Sequence, residues 1–282
     1  MAEDLTVIIV ALAGGQALRA SAEAVRSQGC NPLVVSRDGI VTDGAGKQIG
    51  TVEHCNIPFK RKSAVEIAPT PLVALIEDTV IPQPGWADAV VSALESPAVV
   101  ACGGPVVVAN GLPASSRALA LSEYGAYNVR RLAGAVSALP GCNFAFRRDA
   151  LLGAMADGGL VDQIVFERLQ EQGGQLVWAS GMAVDFCHAN SDGARLATRF
   201  QHGRIYASSG ASRKVGRRAS AAAKALLLPP ILTTRSLRHA AQTGKLSVPT
   251  LGWLMLQHTA WAAGELAGAI FGSSANGLSE WQ

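Results

Sequence analysis

Charge is scarce in this chain, and acidic charge is missing over a long stretch of it. Asp, Glu, Lys and Arg together make up 16% of the 282 residues, well under the roughly 25% usual in globular domains. Hydrophobic residues are 49%, so the chain can bury a sizeable core and disorder is excluded as its main state. Cysteine is limited to Cys30, Cys55, Cys102, Cys142 and Cys187, an odd set without a CxxC pair. That excludes a disulfide framework and a structural zinc site, and reads as reduced thiols in a cytoplasmic protein. The start MAEDL is acidic and lacks the basic region of a signal peptide. Glycine follows no G-X-Y period, so a collagen-like chain is excluded too. Ala11–Gln16 (ALAGGQ) does not supply the GxGxxG of a dinucleotide-binding turn.

The missing acids divide the chain. Residues 1–192 hold 13 Lys+Arg against 19 Asp+Glu, a net charge of −6, whereas Gly193–Gly264 holds 11 Lys+Arg and no acid. Two domains follow from this shift: 1–192, and a basic tail over 193–282.

The front part reads as α/β. Leu5–Leu12 (LTVIIVAL) is a continuous apolar run, as a buried parallel strand requires. Gly14–Gly15 breaks it, and Ala17–Gln28 has helical spacing. Pro32–Ser36, Thr51–Ile57 (an edge strand), Pro71–Ile76 and Ala98–Val108 are the next strands, the last bent at Gly103–Pro105. Trp86–Leu94 and Leu160–Gln172 read as helices, and Gln175–Ala179 and Val184–His188 as extended pieces. Strands alternating with helices predict a mostly parallel sheet with flanking helices. Ligands of such sheets gather at the carboxyl ends of the strands, where Asp38 and Glu77–Asp78 would sit.

Four places carry chemistry. Asp38, in LVVSRDG, can accept hydrogen bonds from a base or ribose, or be a turn residue before Gly39. Glu77–Asp78 directly follow a buried apolar strand; oxygen ligands there suit Mg²⁺ or Mn²⁺ and a diphosphate, or a strand-end turn and helix cap. Asp162 starts a helix and can be a general base, its charge favoured by the helix dipole, or an ordinary first-turn acid. His188, in VDFCHAN, can meet a metal or phosphate, or make a structural hydrogen bond.

In order and spacing these pieces resemble family 2 glycosyltransferases. LTVIIVALAGGQALRASAEAVRSQ is similar to that family's opening strand and helix, and ALIEDTVIPQPGW to its metal-binding segment. PGCNFAFRRDAL resembles its GxNxAFRRxxL segment, GGLVDQIVFERLQEQGGQLVW the segment carrying its base, and VDFCHA its closing strand. The likeness spans about residues 5–206.

It implies the GT-A nucleotide-sugar fold, a UDP-linked donor and a divalent cation, Mg²⁺ or Mn²⁺. It implies roles for single residues: Asp38, Arg61 and Glu77 for the nucleotide, Asp78 and His188 for the metal, Asp162 as the base of an inverting transfer, and Gly141 and Asn143 near sugar and acceptor. The sequence departs from the pattern at Ser36–Arg37–Asp38–Gly39, where two acids usually precede Gly-Ser, and at Val161–Asp162, where the pattern has Glu-Asp. The metal motif is usually Asp-x-Asp, but the pairs two apart here are Ile76/Asp78 and Glu77/Thr79. The QxxRW segment of processive members is absent.

The tail interleaves basic and apolar residues, then runs 19 residues without formal charge over Leu246–Gly264. Only Phe200 and Tyr206 offer aromatic rings in its basic part, Gly193–Lys245, which disfavours nucleic acid. Amphipathic helices on an anionic membrane surface fit better, with Trp253 and Trp261 at the interface. Gln257 and His258 interrupt the apolar run, so surface or re-entrant attachment is favoured over spanning. LGWLMLQHTAWAAGELAGAIFG also resembles the tail of membrane-associated bacterial members. The expectation is a peripheral or monotopic enzyme at the cytoplasmic side of the cell membrane, acting on a lipid-linked or envelope-glycan acceptor, with a homo-oligomer left open. The competing expectations are a GT-A-like binding or assembly subunit and, for the tail, a buried helical hairpin.

Overall fold

The computed structural model describes residues 4–11, 13–52, 57–109, 111–128, 133–155, 159–187, 192–208, 217–241 and 246–272. The chain forms two compact units. One is Met1–Ala109 with Arg130–His188; the other is Asn110–Val129 with Ala189–Gln282. The composition shift near residue 192 falls close to the start of the C-terminal helices, but Asn110–Val129 groups with them as well.

In chain order the elements are β1 (Leu5–Val10), α1 (Gly15–Arg26), β2 (Asn31–Val35), β3 (Ile40–Thr42), β4 (Gln48–Thr51), α2 (Ile57–Ile67), β5 (Leu72–Glu77), β6 (Val80–Pro82) and α3 (Trp86–Ala93). Then come β7 (Val99–Gly103), β8 (Val106–Val108), α4 (Ala114–Tyr124), β9 (Gly134–Ala135), β10 (Asn143–Arg147), α5 (Arg148–Ala154), α6 (Asp162–Glu171), β11 (Gln175–Trp178) and β12 (Val184–Phe186). Three helices close the chain: α7 (Asp192–Ser208), α8 (Arg217–Ala241) and α9 (Val248–Phe271).

The α/β unit holds a nine-stranded sheet in the order β4-β3-β2-β1-β5-β10-β7-β11-β9. β2, β1 and β5 are parallel neighbours, as are β7 and β11, while β10 runs antiparallel to both β5 and β7. A smaller sheet has the order β6-β12-β8. β1 is buried along its whole length, which its uninterrupted apolar sequence requires. Phe144, Phe146 and Phe166 pack with ring centroids 5.2–6.3 Å apart in the main core.

Two expectations change. The edge strand is β4, Gln48–Thr51, and Ile57 already opens α2, so Thr51–Ile57 is not a strand; residues 53–56 lie outside the described ones. Ala98–Val108 is two strands in two sheets. At Gly104 an added Cβ would collide with the carbonyls of Met182 and Ala179, and Pro105 has no N–H to continue a ladder.

The paired arginines after β10 are clamps. Arg147 donates to the carbonyls of Leu94 (2.5 Å) and Val99 (3.1 Å), tying down the end of α3. Arg148 donates to those of Val65 (2.9 Å) and Glu66 (2.8 Å), capping the end of α2.

In the helical unit, α4, α7, α8 and α9 bury several polar groups beside their apolar contacts. The Gln257 amide donates to the Ser115 carbonyl at 3.0 Å, and His258 Nδ1 lies 3.0 Å from Thr233 Oγ1. Burial and the nearby Arg199 charge push the His258 imidazole down to about 4, so it is neutral at pH 7. Buried Arg199 pairs with Glu123 at 2.8 Å, and its guanidinium carbon lies 4.6 Å from the Trp261 ring centre. Trp253 packs on a cluster of Ala118, Leu121, Ala240 and Leu254. Both tryptophans are therefore half-buried inside the unit, not displayed at an interface. The exposed apolar residues are others, including Leu227, Ile231, Val248, Met255, Leu256 and Phe271. Among the described residues no helix is long and apolar enough to cross a membrane.

Candidate active site

The carboxyl ends of β1, β2 and β5 lie side by side, because Val10 pairs with both Val35 and Glu77. α2 brings two cations to this edge. Lys60 and Arg61 are both buried. The Lys60 ammonium donates to the Arg37 carbonyl at 2.6 Å and so fixes the turn that carries Asp38.

Arg61 is the hub. Its Nη1 donates to Asp162 Oδ1 at 2.8 Å, and its Nη2 to Glu77 Oε1 at 3.0 Å and to the Gly141 carbonyl at 2.8 Å. Its guanidinium carbon lies 5.4 Å from the centre of the Phe144 ring, a cation–π distance. One side chain thus joins residues from α2, β5, α6 and the loop before β10. The side-chain exposures are 8% for Arg61, 14% for Glu77 and 30% for Asp162, so Asp162 keeps the open edge. Burial raises the Asp162 carboxyl above the ordinary carboxylate range, against the Arg61 charge and hydrogen bond, which lower it. Gly141 has no room for a side chain, because a Cβ would collide with Asp162 Oδ2.

The expected residues divide accordingly. Arg61, Glu77, Asp162 and Gly141 meet at one place. Asp78 stands next to them, but its buried carboxylate faces the turn after β1. It accepts from the Ala13 amide (3.0 and 3.1 Å) and from the Gly14 amide (2.5 Å). Asp38 is exposed in the Ser36–Gly39 turn at the same sheet edge. Asn143 is not at the site. It is fully buried, accepts from the Trp86 indole N–H at 2.9 Å and donates to the Met182 carbonyl at 2.7 Å, so it ties β10 to α3 and the loop before β12. His188 lies outside the described residues.

Sequence reasoning missed the backbone amides of Ala13 and Gly14. The signal was present in Gly14–Gly15, whose φ of 69° and 56° lies on the positive side that glycine adopts cheaply. Thr79, which donates to Glu77 Oε2 at 3.2 Å, was also missed.

A divalent cation needs several oxygen lone pairs aimed at one point. Both oxygens of Glu77 and of Asp78 already accept N–H or O–H donors, and Oδ1 of Asp162 faces Arg61. Among the described residues no group of three or more His, Cys, Asp or Glu is disposed to hold a metal. Among the described residues the donor set does not fit the Mg²⁺ or Mn²⁺ expected from the sequence; His188, the other expected ligand, lies outside them.

No protein-family model matches the chain, and no curated protein does. Solved structures do. A mannosyltransferase, PcManGT from Pyrobaculum calidifontis, in complex with GDP-Man and Mn²⁺, is 16% identical, with 95% of this chain and 87% of that one covered at a TM-score of 0.55. Weaker likenesses join the chain to A197 from STIV (10% identical, 66% and 86% covered, TM-score 0.40) and to a mycobacterial protein (12%, 71% and 72%, TM-score 0.43). The mixed sheet with its mainly co-directional strands and flanking helices is the fold this chain shares with that mannosyltransferase.

Proposed function

We propose that the α/β unit transfers a sugar, with inversion, from a nucleoside diphosphate donor to a hydroxyl of a glycan or lipid-linked acceptor. The observation that carries this is the meeting of Arg61, Glu77 and Asp162 at the carboxyl edge of the sheet, in a fold shared with an enzyme solved with GDP-Man. In the reaction Asp162 takes the proton of the acceptor hydroxyl. The oxygen bonds to the anomeric carbon from the face opposite the leaving group, the carbon–oxygen bond to the diphosphate breaks, and its electron pair leaves with the nucleoside diphosphate. Gly141 leaves Asp162 the space to sit there. Asp38, exposed at the same edge, is the candidate contact for base or ribose. A uridine-type base is the reading from sequence, and the mannosyltransferase carries guanosine, so both are tested.

The helical unit is proposed to hold the protein on an anionic membrane surface at the cytoplasmic side. The support is the company its exposed apolar residues keep: Leu227 and Ile231 stand outward on α8, inside the strongly basic stretch, and Val248 and Phe271 stand outward at the two ends of α9.

The test combines binding and transfer. UDP or GDP is expected to raise the melting temperature of the full chain by mass action. Asp162→Asn is expected to keep that shift while transfer of labelled sugar in a membrane preparation falls about 10²–10⁴-fold, as loss of a general base does. Unchanged transfer in Asp162→Asn overturns the base assignment. If neither nucleotide stabilises the protein, with or without Mn²⁺, the enzyme reading gives way to a binding or assembly subunit.

A further inference from the structure

We propose that Arg61 is the cation of this site: its guanidinium, not a bound metal ion, meets the donor's diphosphate, and donor binding needs no divalent metal. This rests on the reading of the α/β unit as a nucleotide-sugar transferase, and goes beyond it in naming what balances the leaving charge.

Three observations carry it. The first is the use already made of the carboxylates. Asp78, the only acid left of the two-apart Ile76/Asp78 pair, is 1% exposed and spends its oxygens on the Ala13 and Gly14 amides. Its missing partner is Ile76, also 1% exposed, an apolar residue paired in the sheet with Ile9 and Asn143. An apolar side chain packed in the core leaves that position without an oxygen ligand.

The second is where the positive charge already stands. Between Glu77 and Asp162 sits the Arg61 guanidinium at 3.0 and 2.8 Å. An ion bridging the same two carboxylates would have to take its place. Two cations confined there would repel each other in surroundings that screen poorly.

The third is the fitness of the group itself. A guanidinium presents a planar fork of donors that matches phosphate oxygens two at a time. This one is carried on a helix whose end is capped by Arg148 and is backed by the Phe144 ring, so it is aimed in advance.

The donor's arrival exchanges partners. The diphosphate oxygens replace the carboxylates around Arg61, and Asp162 is released to accept the acceptor proton. As the anomeric carbon–oxygen bond breaks, the electron pair settles on the departing phosphate oxygen, and Arg61 offsets that charge. Donor binding therefore precedes the freeing of the base.

The experiment is calorimetric titration of UDP and GDP into the full chain, in EDTA and again in Mn²⁺. The preferred nucleotide is expected to bind in EDTA, with a Kd within about threefold of that in Mn²⁺. Arg61→Ala is expected to weaken it by about tenfold or more in both buffers, and Arg61→Lys to recover part of the loss. Because Arg61→Ala strands two carboxylates and can unfold the protein, a second measurement uses the unaltered chain. The spectrum of free Mn²⁺, followed by electron paramagnetic resonance, should be unchanged when protein and nucleotide are added beyond what nucleotide alone does. Binding that appears only with Mn²⁺, or Mn²⁺ captured by the ternary mixture, overturns the proposal and leaves the transferase reading standing. Absence of nucleotide binding in both buffers overturns the transferase reading itself.

Discussion

Asp162 is pulled in two directions, and the balance can be read in a rate. Burial raises its carboxyl, while the Arg61 charge and hydrogen bond hold it down, with burial the stronger. A base works only when deprotonated, so kcat/KM, which reports the free enzyme, should climb with pH through a value above the ordinary carboxylate range. Removing the lowering partner should carry that acidic limb to still higher pH. The residual activity of Arg61→Gln, measured as a pH profile, checks this; a limb that stays or moves down refutes it. At this scale the sequence revealed which residues mattered better than which way they pointed. Glu77 is legible because an ionised group directly after a buried apolar strand needs a use, Asp162 as an acid that opens a helix, and Arg61 only through the family resemblance. Asn143 carries the same kind of label, yet its amide faces inward, because the buried Trp86 N–H and Met182 carbonyl need partners there. Nothing in a linear motif distinguishes an amide that meets substrate from one that satisfies the core.

Among the elements, α2 shows why a helix can hide from pattern reading. Its buried face includes Lys60 and Arg61 beside Ala64 and Val65, so the apolar period that marks an amphipathic helix is broken by the residues that serve the site. By contrast β1, α1, β5, α3 and α6 stand within a few residues of their expected places, since each follows an uninterrupted apolar run or a clean helical spacing. The pairing of α7 with α9 rests on a feature periodicity does not report, namely absent side chains. A Cβ at Gly264 would strike the Phe200 carbonyl, one at Gly268 the Arg204 carbonyl, and one at Gly203 the Trp261 carbonyl. Backbones this close are how small-residue helix contacts work, including those in lipid. Gly264→Val should force the helices apart and cost about 1–3 kcal/mol or more. Gly252→Ala, in the same helix but exposed and with nothing within 4 Å of the new methyl, should instead stabilise by roughly 0.5–1 kcal/mol. Thermal unfolding of the two variants beside the parent decides; equal effects would mean that the close approach does not hold the unit together.

For the molecule as a whole, charge and exposed apolar surface lie in the same unit. The full chain should co-sediment with vesicles containing anionic lipid and much less with neutral ones, and added salt should weaken the first. Replacing exposed Leu227 and Ile231 with Ser should release it without lowering the melting temperature, since both side chains face outward at 60% and 58% exposure. Equal binding to neutral and anionic vesicles, or none, would leave the basic stretch without the role given to it. The chain's path between its units has a further bearing on how the protein can be handled. It leaves the α/β part at Ala109, returns at Arg130 and leaves again after His188. A stop codon at the natural-looking composition break would therefore keep α4 while discarding α8 and α9, leaving Ala118 and Leu121 stripped of Ala240 and Leu254. Such a fragment would carry a sticky helix in mid-sequence. To isolate the sheet and its Arg61 centre as a soluble piece, residues 110–129 must be excised along with the tail.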